Sequence, residues 1–531
     1  MGINVISNTQ SQELTLAAST AITSGNLVTQ TEGGLTFPTT SQLTLASQNI
    51  ATAGPSALYA YNTIGANYRT FSDDWDTVVQ LGNGVLAFAN SGDGTTANTG
   101  VNVFYYTQSG GAFRAKTTVV STINIGSVKI KKLDSSKFVV VWTASGATLN
   151  FAIYNNDGTV AVAATTVTSA ISASGSTLYN FNVLADGDIV FAYRKITSND
   201  FAFVRYNSSG VLQGSETVVE AGSTPSRISV LAHSSGDFWL YYYRNAATTA
   251  YKFARYNSSG VLQGTLTTVV TNSGNLNMNW VAMITELGNG NVLIFSPNGS
   301  NFPDANLYNS SGTLVTSNTT YHGSSNTIAL AAVCPFVLVE AQQATIFSMT
   351  DGNVLSVWKI DNSLNFIGPR IQTGAIGNFT TSTTTGYLKV FSEGSAGYSI
   401  LTVGYTSTWT ATISCVNTAG TVVGTNIVPY SGISINNGNC AIKTAEGNIV
   451  FNVNRDNSDD RFGVYSPGRK NIIGVAQQTV SAGSTFRCAT VGTYTINNAP
   501  STPGLFDNRT ATPGGARGNV SGTTAILNGL V

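Results

Sequence analysis

The segment RYNSSGVLQG occurs twice in this chain of 531 residues, as Arg205–Gly214 and as Arg255–Gly264. Ten identical residues at an interval of fifty indicate a duplicated structural unit. In each copy strand-forming residues precede the segment, and Asn, Ser and Gly occupy the positions of a tight turn. The segment therefore predicts the end of one strand, a turn, and the start of the next strand.

The residues around the second copy predict a unit of four antiparallel strands. The predicted strands are Arg227–Ala232, Asp237–Tyr243, Tyr251–Tyr256 and Gly264–Val270. Within the repeated turn, Asn207 and Asn257 are expected in a left-handed conformation. Gly210 and Gly260 are expected to adopt positive φ, which costs glycine nothing sterically.

The turn between the first and second strands recurs along the chain at intervals of 42 to 62 residues. The eight anchors begin at Leu81, Leu133, Leu184, Leu231, Leu287, Met349, Phe391 and Thr444. Four-stranded repeats of this period are typical of a β-propeller, in which radial packing covers both faces of every blade. The fold class is therefore all-β, with eight blades over residues 57–470. Seven blades remain an alternative, because the unit at Met349 is short.

The chain ends are expected to close the ring and to form a second, small β domain. The segment Ala57–Phe71 resembles a third strand, a turn and a fourth strand without an inner pair. We expect it to supply outer strand material to the last blade, which would leave no open sheet edge there. The predicted domains are an N-terminal attachment segment (1–56), the propeller (57–470) and a C-terminal segment (471–531) that pairs with the N-terminal one.

Charge and composition exclude several classes of function. Only 9% of the residues are charged, and 25 basic residues match 25 acidic ones. Neither a basic face nor a charge block is visible, so nucleic acid and membrane insertion are not expected. The four cysteines lack metal-ligand spacing and are expected as reduced, mostly buried thiols, with a Cys415–Cys440 bridge as the alternative.

The titratable residues offer little sign of catalysis. His233 and His322 both fall in loop-like sequence outside any recognised catalytic motif. The acidic clusters are Asp73, Asp74 and Asp76, predicted as a solvated strand entry, and Asp456–Asp460, predicted as a hairpin tip. The turn Asn155–Gly158 offers too few carboxylates for calcium. No catalytic, cofactor or metal residue is predicted, no cofactor is expected, and the receptor-binding residues are unknown.

Two kinds of segment have a possible role in binding. Phe191–Lys195 and Trp239–Arg244 combine aromatic residues with arginine, as sugar sites do, although packing between blades explains them better. Lysines in Ser127–Lys132, Gly386–Val390 and Ala441–Thr444 fall on predicted inner strands. If they point inward, the mouth of the channel is mildly basic.

Short patterns at both chain ends resemble modules of tail-fibre and other virion proteins of tailed bacteriophages. The matching residues are Ala21, Ile22, Gly25 and Val28, then Ile473, Gly474, Val475, Ala476, Ser481, Ala482, Gly483 and Thr485, and finally Ser521, Thr523, Ile526 and Leu527. One departure is that STPGLFDNRT, residues 501–510, matches the aromatic segment of that family only loosely.

This resemblance implies a structural virion component rather than an enzyme. The expected use is a tail fibre or receptor-binding protein that displays the propeller for attachment to host-surface glycan. The alternatives are a head fibre or capsid decoration protein, and a polysaccharide-degrading enzyme. Expected partners are other virion proteins, further copies of the chain and a host glycan, with the virion as its location.

Overall fold

The computed structural model consists of strands and turns. It describes residues 57–66, most of residues 76–466, and the strands of the two termini. Within 76–466 the description omits residues 83, 93–98, 108–111, 122–124, 145–146, 172–177, 247, 273–282, 298–302, 319–335, 351–353, 377–386, 394–396, 406–408, 423–426, 434–439, 446–447 and 456–458. In the part that is described, no helix is long and apolar enough to cross a membrane.

Eight antiparallel sheets of four strands form a ring, so the predicted eight-bladed propeller is confirmed. The N-terminal strands are β1 (Ile6–Asn8), β2 (Ser11–Ala17), β3 (Leu27–Thr31), β4 (Gly34–Thr36) and β5 (Ala57–Ala66). Blades 1 to 4 comprise β6 (Val78–Gln80), β7 (Leu86–Ser91), β8 (Val101–Tyr106) and β9 (Ala112–Val120); β10 (Ile125–Lys132), β11 (Lys137–Ala144), β12 (Thr148–Asn155) and β13 (Val160–Thr168); β14 (Tyr179–Val183), β15 (Ile189–Arg194), β16 (Phe201–Tyr206) and β17 (Thr217–Glu220); β18 (Pro225–Ala232), β19 (Phe238–Asn245), β20 (Thr249–Tyr256) and β21 (Thr267–Asn272).

Blades 5 to 8 continue the same meander. Their strands are β22 (Ile284–Glu286), β23 (Val292–Pro297), β24 (Pro303–Tyr308) and β25 (Leu314–Asn318); β26 (Phe336–Val339), β27 (Gln343–Thr350), β28 (Val354–Asp361) and β29 (Ile371–Ala375); β30 (Tyr387–Ser392), β31 (Tyr398–Tyr405), β32 (Trp409–Val416) and β33 (Ile427–Ile433); β34 (Cys440–Lys443), β35 (Ile449–Arg455) and β36 (Asp459–Ser466), with β5 as the fourth strand of blade 8. The C-terminal strands are β37 (Ile472–Ala476), β38 (Thr485–Ala489), β39 (Val491–Thr495), β40 (Gly504–Asp507), β41 (Arg517–Ser521) and β42 (Thr524–Asn528).

The first strand of each blade is the inner strand. Inner strands of neighbouring blades contact one another, as β14 does with β18 and as β6 does with both β10 and β34. The fourth strands, such as β9 and β13, expose much of their length to solvent. Antiparallel order then defines two faces. The "turn face" carries the first-to-second and third-to-fourth turns, and the "crossover face" carries the second-to-third loops and the connections between blades.

The N-terminal strand β5 closes the ring as the sequence predicts. It pairs antiparallel with β36 from Ala57, opposite Ser466, to Ala66, opposite Asp459. The segment differs from the expectation in one respect, because it forms a single strand of ten residues. Blade 8 therefore joins residues from opposite ends of the propeller sequence, and β36 is paired on both sides within the chain.

The two chain ends also share a sheet outside the propeller. Strand β2 pairs with β38, with Glu13 opposite Ala489, and β3 pairs with β37, with Leu27 opposite Val475. The remaining strands of the C-terminal segment, β39 to β42, form a separate sheet of four strands. The attachment role of residues 1–56 stays a prediction.

The repeated decapeptide forms an asparagine-clamped turn. The Asn207 side-chain oxygen accepts the N–H groups of Ser209 at 3.0 Å and of Val211 at 2.9 Å. Gly210 has a φ of 74°, as predicted. The expected left-handed asparagine is wrong, because the positive-φ residues do not include Asn207 or Asn257. Asparagine is used here for its side-chain acceptor, which replaces a backbone partner inside the turn.

The anchor assigned at Met349 is wrong, although the blade itself exists. Strand β27 ends at Thr350 and β28 begins at Val354, so this stretch connects the second and third strands. The first-to-second turn of blade 6 lies earlier, where the Glu340 N–H donates to the Gln343 carbonyl oxygen at 2.8 Å. That turn carries no glycine, which explains why the turn pattern passed over it.

Gly210 packs against the preceding blade, and this contact generates a stability prediction. An added Cβ would lie 2.5 Å from Cγ1 of Val162, whose branched side chain has few alternative rotamers. Gly214 has a similar φ of 80° but meets nothing within 4 Å. We expect Gly214→Ala to cost about 1 kcal/mol through backbone strain alone. Gly210→Ala should cost roughly 1–3 kcal/mol more through overpacking.

Urea unfolding of the two variants beside the unmodified protein measures this difference. Equal losses of unfolding free energy in Gly210→Ala and Gly214→Ala would show that close packing of Gly210 against the preceding blade does not affect stability.

Candidate functional site

Four basic side chains lie at the crossover-face ends of blades 3 and 4. Arg194 ends β15, and Arg244 lies near the end of β19, opposite Pro225 of the inner strand. Arg227 lies near the start of β18, and Lys252 near the start of β20. Because second strands end at this face while first and third strands begin there, the meander brings together residues that are far apart in sequence.

Glu220, the last residue of β17, is a partly buried carboxylate that contacts three side chains of blade 4. The Tyr242 hydroxyl donates to Oε2 at 2.6 Å, and Lys252 Nζ lies 2.5 Å from Oε1. Arg244 Nε lies 3.3 Å from the same Oε1. One carboxylate thus faces two cations, so the charge at this junction is unbalanced.

The rest of this face leaves the positive excess in place. Arg194 donates two hydrogen bonds to the neutral side-chain oxygen of Asn199, at 2.6 and 3.1 Å. The second carboxylate, Asp200, accepts the Gly222 N–H at 2.8 Å. Lys195 and Glu216 lie beside these groups and neutralise each other at 2.5 Å. The other four basic and two acidic side chains therefore give an excess of two positive charges among the described residues, in a chain whose formal net charge is zero.

Backbone strain concentrates at the same place. Asn199, Thr224 and Arg227 adopt positive φ values of 55°, 48° and 53°. The Thr224 N–H donates to the Asn199 carbonyl oxygen at 2.8 Å, and Arg227 occupies a β-bulge where β18 pairs with β19. Such conformations cost about 1–3 kcal/mol each in non-glycine residues and are found preferentially at functional sites.

Tyr242 and Tyr243 are neighbours in sequence but differ in access. Tyr242 is fully buried, and burial together with its hydrogen bond to Glu220 raises its pKa far above the ordinary value. Tyr243 points to the opposite side of β19, is partly exposed, and has the guanidinium carbon of Arg227 5.7 Å from its ring centre. Tyr243 is therefore the phenol of this pair that a ligand at the crossover face can reach.

We name the group of Arg227, Tyr243, Arg244, Lys252 and Glu220 the blade 3–4 cluster. Its guanidinium groups have the geometry to pair with carboxylate or sulfate, and an aromatic ring offers a face to a sugar. Its phenol can exchange a proton with a bound group. This combination suits an acidic, polyhydroxylated ligand better than a neutral one.

The two aromatic segments singled out from the sequence divide between core and site. Phe191 and Tyr193 are fully buried, as are Trp239, Tyr241 and Tyr242. Phe191 packs on Phe151 of the preceding blade at 5.2 Å between ring centres, which confirms the packing interpretation for this part. The ends of both segments, Arg194–Lys195 and Tyr243–Arg244, reach the crossover face.

His233 lies in the turn after β18, as the sequence predicts, but it is not a solvated loop residue. It is buried, and its Nε2 lies 2.8 Å from the Gly290 carbonyl oxygen of blade 5. Its Nδ1 accepts the Ser235 N–H at 3.1 Å. With Glu286 Oε1 also 3.6 Å from Nε2, these contacts join His233 of blade 4 to blade 5.

The remaining candidates do not form a site among the described residues. The turn Asn155–Gly158 uses Asp157 to accept the Thr159 N–H at 2.9 Å. No group of three or more metal-ligating side chains occurs in the part of the chain that the structure describes. Cys415 is a buried thiol, so the alternative Cys415–Cys440 disulfide is not formed. The predicted candidates that lie outside the described residues are Asp73, Asp74, His322 and residues 456–458.

The inner-strand lysines are divided between two environments. Lys443 of β34 lies 2.8 Å from Glu393, a fully buried carboxylate of blade 7, and is therefore neutralised. Lys131 of β10 lies 3.3 Å from Asp76, which precedes β6 and is partly exposed. Both lysines thus face a carboxylate, and the mildly basic channel mouth stays a prediction.

Comparisons with known proteins bear on the fold. No protein-family model and no curated protein matches the chain. Similar solved structures include the polysaccharide lyase Uly1, with a TM-score of 0.39 and 10% identity over 78% of this chain and 100% of the lyase. An ulvan lyase of family PL25 has a TM-score of 0.37 and 10% identity over 68% and 97% of the two chains. The lectin BP39L from Burkholderia pseudomallei has a TM-score of 0.41 and 11% identity over 70% and 99%.

These findings correct the function predicted from the chain ends. The prediction of a structural, non-enzymatic phage virion component that serves as a tail fibre or receptor-binding protein is wrong. The similar structures include polysaccharide lyases and a hydrolase, and no phage structural protein is among those named. The neighbours include enzymes and a lectin alike. The resemblance of the chain ends to phage fibre modules, the expected partners and the virion location stay predictions.

Buried tyrosines make the stability of the fold sensitive to alkali. Burial raises the pKa of Tyr256 and of Tyr308 to about 12, and that of Tyr242 further, from the ordinary value of 10.0. Above pH 10 the unfolded chain loses these protons while the folded chain keeps them. Stability is therefore complete below pH 10 and falls by about 1.4 kcal/mol per pH unit for each such tyrosine.

Between pH 10 and 12, Tyr242→Phe should make the fall of stability with pH less steep by about 1.4 kcal/mol per pH unit. The reason is that the variant lacks one of the protons that only the folded chain retains. The same variant should lower stability at pH 7, where the hydrogen bond to Glu220 is lost. Urea unfolding at several pH values measures both effects. An unchanged slope in Tyr242→Phe would contradict the burial of a protonated hydroxyl at this position.

Proposed function

We propose that this protein degrades an acidic polysaccharide, which it holds at the blade 3–4 cluster on the crossover face. The observation that carries the proposal is the position of Tyr243, a partly exposed phenol with the guanidinium carbon of Arg227 5.7 Å from its ring centre. Ligands of propellers and related folds bind where loops and strand ends converge on one face, and this cluster has that placement.

The cluster has the groups that cleavage of a uronate-containing chain by β-elimination requires. The guanidinium group of Arg227 pairs with the uronate carboxylate, which makes the adjacent C–H bond more acidic. Tyr243, as the phenolate, takes that proton, and the bonding electron pair forms a C=C bond as the glycosidic C–O bond breaks. The phenol then returns the proton to the departing oxygen, so no water is consumed.

Glu220 acts on this site through its neighbours. It is 2.5 Å from Lys252 Nζ and 3.3 Å from Arg244 Nε, so it fixes the position of both cations. It also accepts the Tyr242 hydroxyl, which keeps that phenol protonated and inside the core. Tyr243, which is partly exposed, packs instead on the ring of Tyr251 at 5.0 Å between ring centres and lies beside Arg227.

The direct test is incubation of the full chain with polyuronates, sulfated polysaccharides and neutral polysaccharides. We expect shortening of an acidic polymer, seen by size-exclusion chromatography, together with ultraviolet absorbance from unsaturated ends. Tyr243→Phe should lower the rate by roughly 100-fold or more, as expected for loss of a group that transfers the proton.

Tyr193→Phe is the matched control. Tyr193 occupies the same strand position in blade 3 as Tyr242 does in blade 4, and its buried hydroxyl donates to Glu216 at 2.7 Å. Its rate should stay within about twofold of the unmodified protein, since it lies outside the reacting groups. Binding of the polymer without shortening would contradict degradation by this protein. The absence of both binding and shortening would overturn the whole proposal.

A further inference from the structure

Arg194 is a basic residue of the crossover face that the blade 3–4 cluster does not include. It ends β15, the second strand of blade 3, and its side chain is partly exposed. On the same strand, Val190 and Ala192 belong to the apolar core that blade 3 shares with blade 4. Since alternate residues of a strand share one side, Arg194 also lies on the side of β15 that faces blade 4.

A neutral side chain, not a carboxylate, holds the guanidinium group of Arg194. Nε and Nη2 donate to Oδ1 of Asn199 at 3.1 and 2.6 Å, and in the described part of the chain Arg194 has no ion pair. The neighbouring carboxylate, Asp200, instead accepts the Gly222 N–H at 2.8 Å. The bonds to Asn199 therefore orient the guanidinium group without neutralising it, and they leave further N–H donors for a ligand.

Two strained loops fix the position of Asn199 relative to the cluster. Asn199 has a φ of 55°, and its carbonyl oxygen accepts the N–H of Thr224, which has a φ of 48°. Thr224 precedes Pro225, and Pro225 lies opposite Arg244 in the pairing of β18 with β19. The guanidinium group of Arg194 is thus oriented by the fold itself, so little ordering is required when a ligand binds.

Cross-strand contacts place Arg194 close to the cluster. Arg194 lies opposite Phe201 of β16, and Phe201 lies opposite Glu220 of β17. Because neighbouring strands are about 4.8 Å apart, the backbones at Arg194 and Glu220 are about 10 Å apart. The Phe201 ring packs on the Tyr242 ring with 4.3 Å between centres, and Tyr243 is the next residue of β19. Arg194 therefore lies on one side of the end of β19 and Tyr243 on the other.

We propose that Arg194 binds the carboxylate of a second uronate unit, next to the unit that is held at Tyr243. This subsite rests on the function proposed above, and it narrows the substrate to polysaccharides with carboxylates on neighbouring sugar units. The polymer crosses the end of β19, so a ligand with one sugar unit reaches only one of the two positions. A guanidinium group pairs with a carboxylate through two parallel hydrogen bonds, which favours a planar acidic group over a neutral hydroxyl.

Binding of uronate oligosaccharides of increasing length tests this subsite. Calorimetry uses oligogalacturonates and oligomannuronates of one to six units, with the full-length Tyr243→Phe variant so that the ligands stay intact. We expect the affinity to rise by about tenfold once the oligosaccharide is long enough to reach Arg194. The methyl ester of the hexasaccharide has the same length without the charge, and it should lack this gain.

Substitutions of Arg194 in the same background separate its charge from its shape. Arg194→Gln should remove the gain with length and leave the affinity for a single unit within about twofold. Arg194→Lys keeps the charge but loses the planar fork, and should retain part of the gain. Lys195→Gln is the matched control, because Lys195 is the next residue but pairs with Glu216 at 2.5 Å. It should bind all the ligands within about twofold of the parent variant.

Kinetics with Tyr243 in place distinguish a substrate contact from a purely structural role. Arg194→Gln should raise KM for an acidic polymer by about tenfold and leave kcat within about twofold, since Arg194 lies outside the reacting groups. Its midpoint of thermal unfolding should match that of Lys195→Gln. A fall of the midpoint together with a fall of kcat would show that Arg194 supports the fold, and it would overturn the subsite.

The outcomes separate this subsite from the proposed function. Equal affinity of Arg194→Gln and its parent for the hexasaccharides would overturn the subsite, as would the absence of binding by either series. Shortening of a polymer by the unmodified protein would still support the function in that case. Conversely, a gain with length that Arg194→Gln loses, without any shortening of polymer, would support the subsite and contradict degradation.

Discussion

The packing of each blade against two neighbours is the constraint on which this structure depends. A sheet of four strands with two apolar faces cannot bury both faces by itself. Around the ring, residues such as Phe138 and Trp142 pack toward blade 1, and Val139 and Val141 pack toward blade 3. At the last junction Phe88 of blade 1 meets Phe462 of blade 8, with 4.7 Å between ring centres. The whole arrangement requires that this last junction closes.

Side chains at the turn face transmit the register from blade to blade. Arg114 of blade 1 donates to the Asn156 carbonyl oxygen in the outer turn of blade 2 at 2.9 Å. Arg255 of blade 4 donates to the Ser310 carbonyl oxygen in the same turn of blade 5. In the two copies of the repeated decapeptide, Arg255 makes this contact with blade 5, and Arg205 pairs with Asp188 of its own blade at 2.8 Å. Side chains at the turn face thus hold neighbouring blades together, whereas the crossover face is where this chain departs from a regular repeat.

The sequence was sufficient for the repeat and insufficient for the site, and the reason is physical. Turn patterns depend on local sequence, and seven of the eight anchors lie at first-to-second turns. The anchor at Met349 was wrong because the connection between β27 and β28 contains the same residue types as a first-to-second turn. The blade 3–4 cluster is non-local. It combines Glu220, Arg227 and Lys252, which are separated by tens of residues or by a strand crossing. The composition of the chain does not reveal these charges, because its basic and acidic residues are equal in number. Only the β18–β19–β20 register and the crossover from β17 place them together.

Closure by β5 is the part of this account that one experiment tests most directly. Truncations that remove residues 1–56 and residues 1–66 both eliminate the N-terminal strands of the terminal sheet, and they differ only by β5. Amide hydrogen exchange reports the protection of β36 and of β7 across the junction of blades 8 and 1. We expect near-normal protection of β36 and β7 after removal of residues 1–56, and loss of that protection after removal of residues 1–66. Equal protection of β36 and β7 in both truncations would contradict closure of the ring by β5.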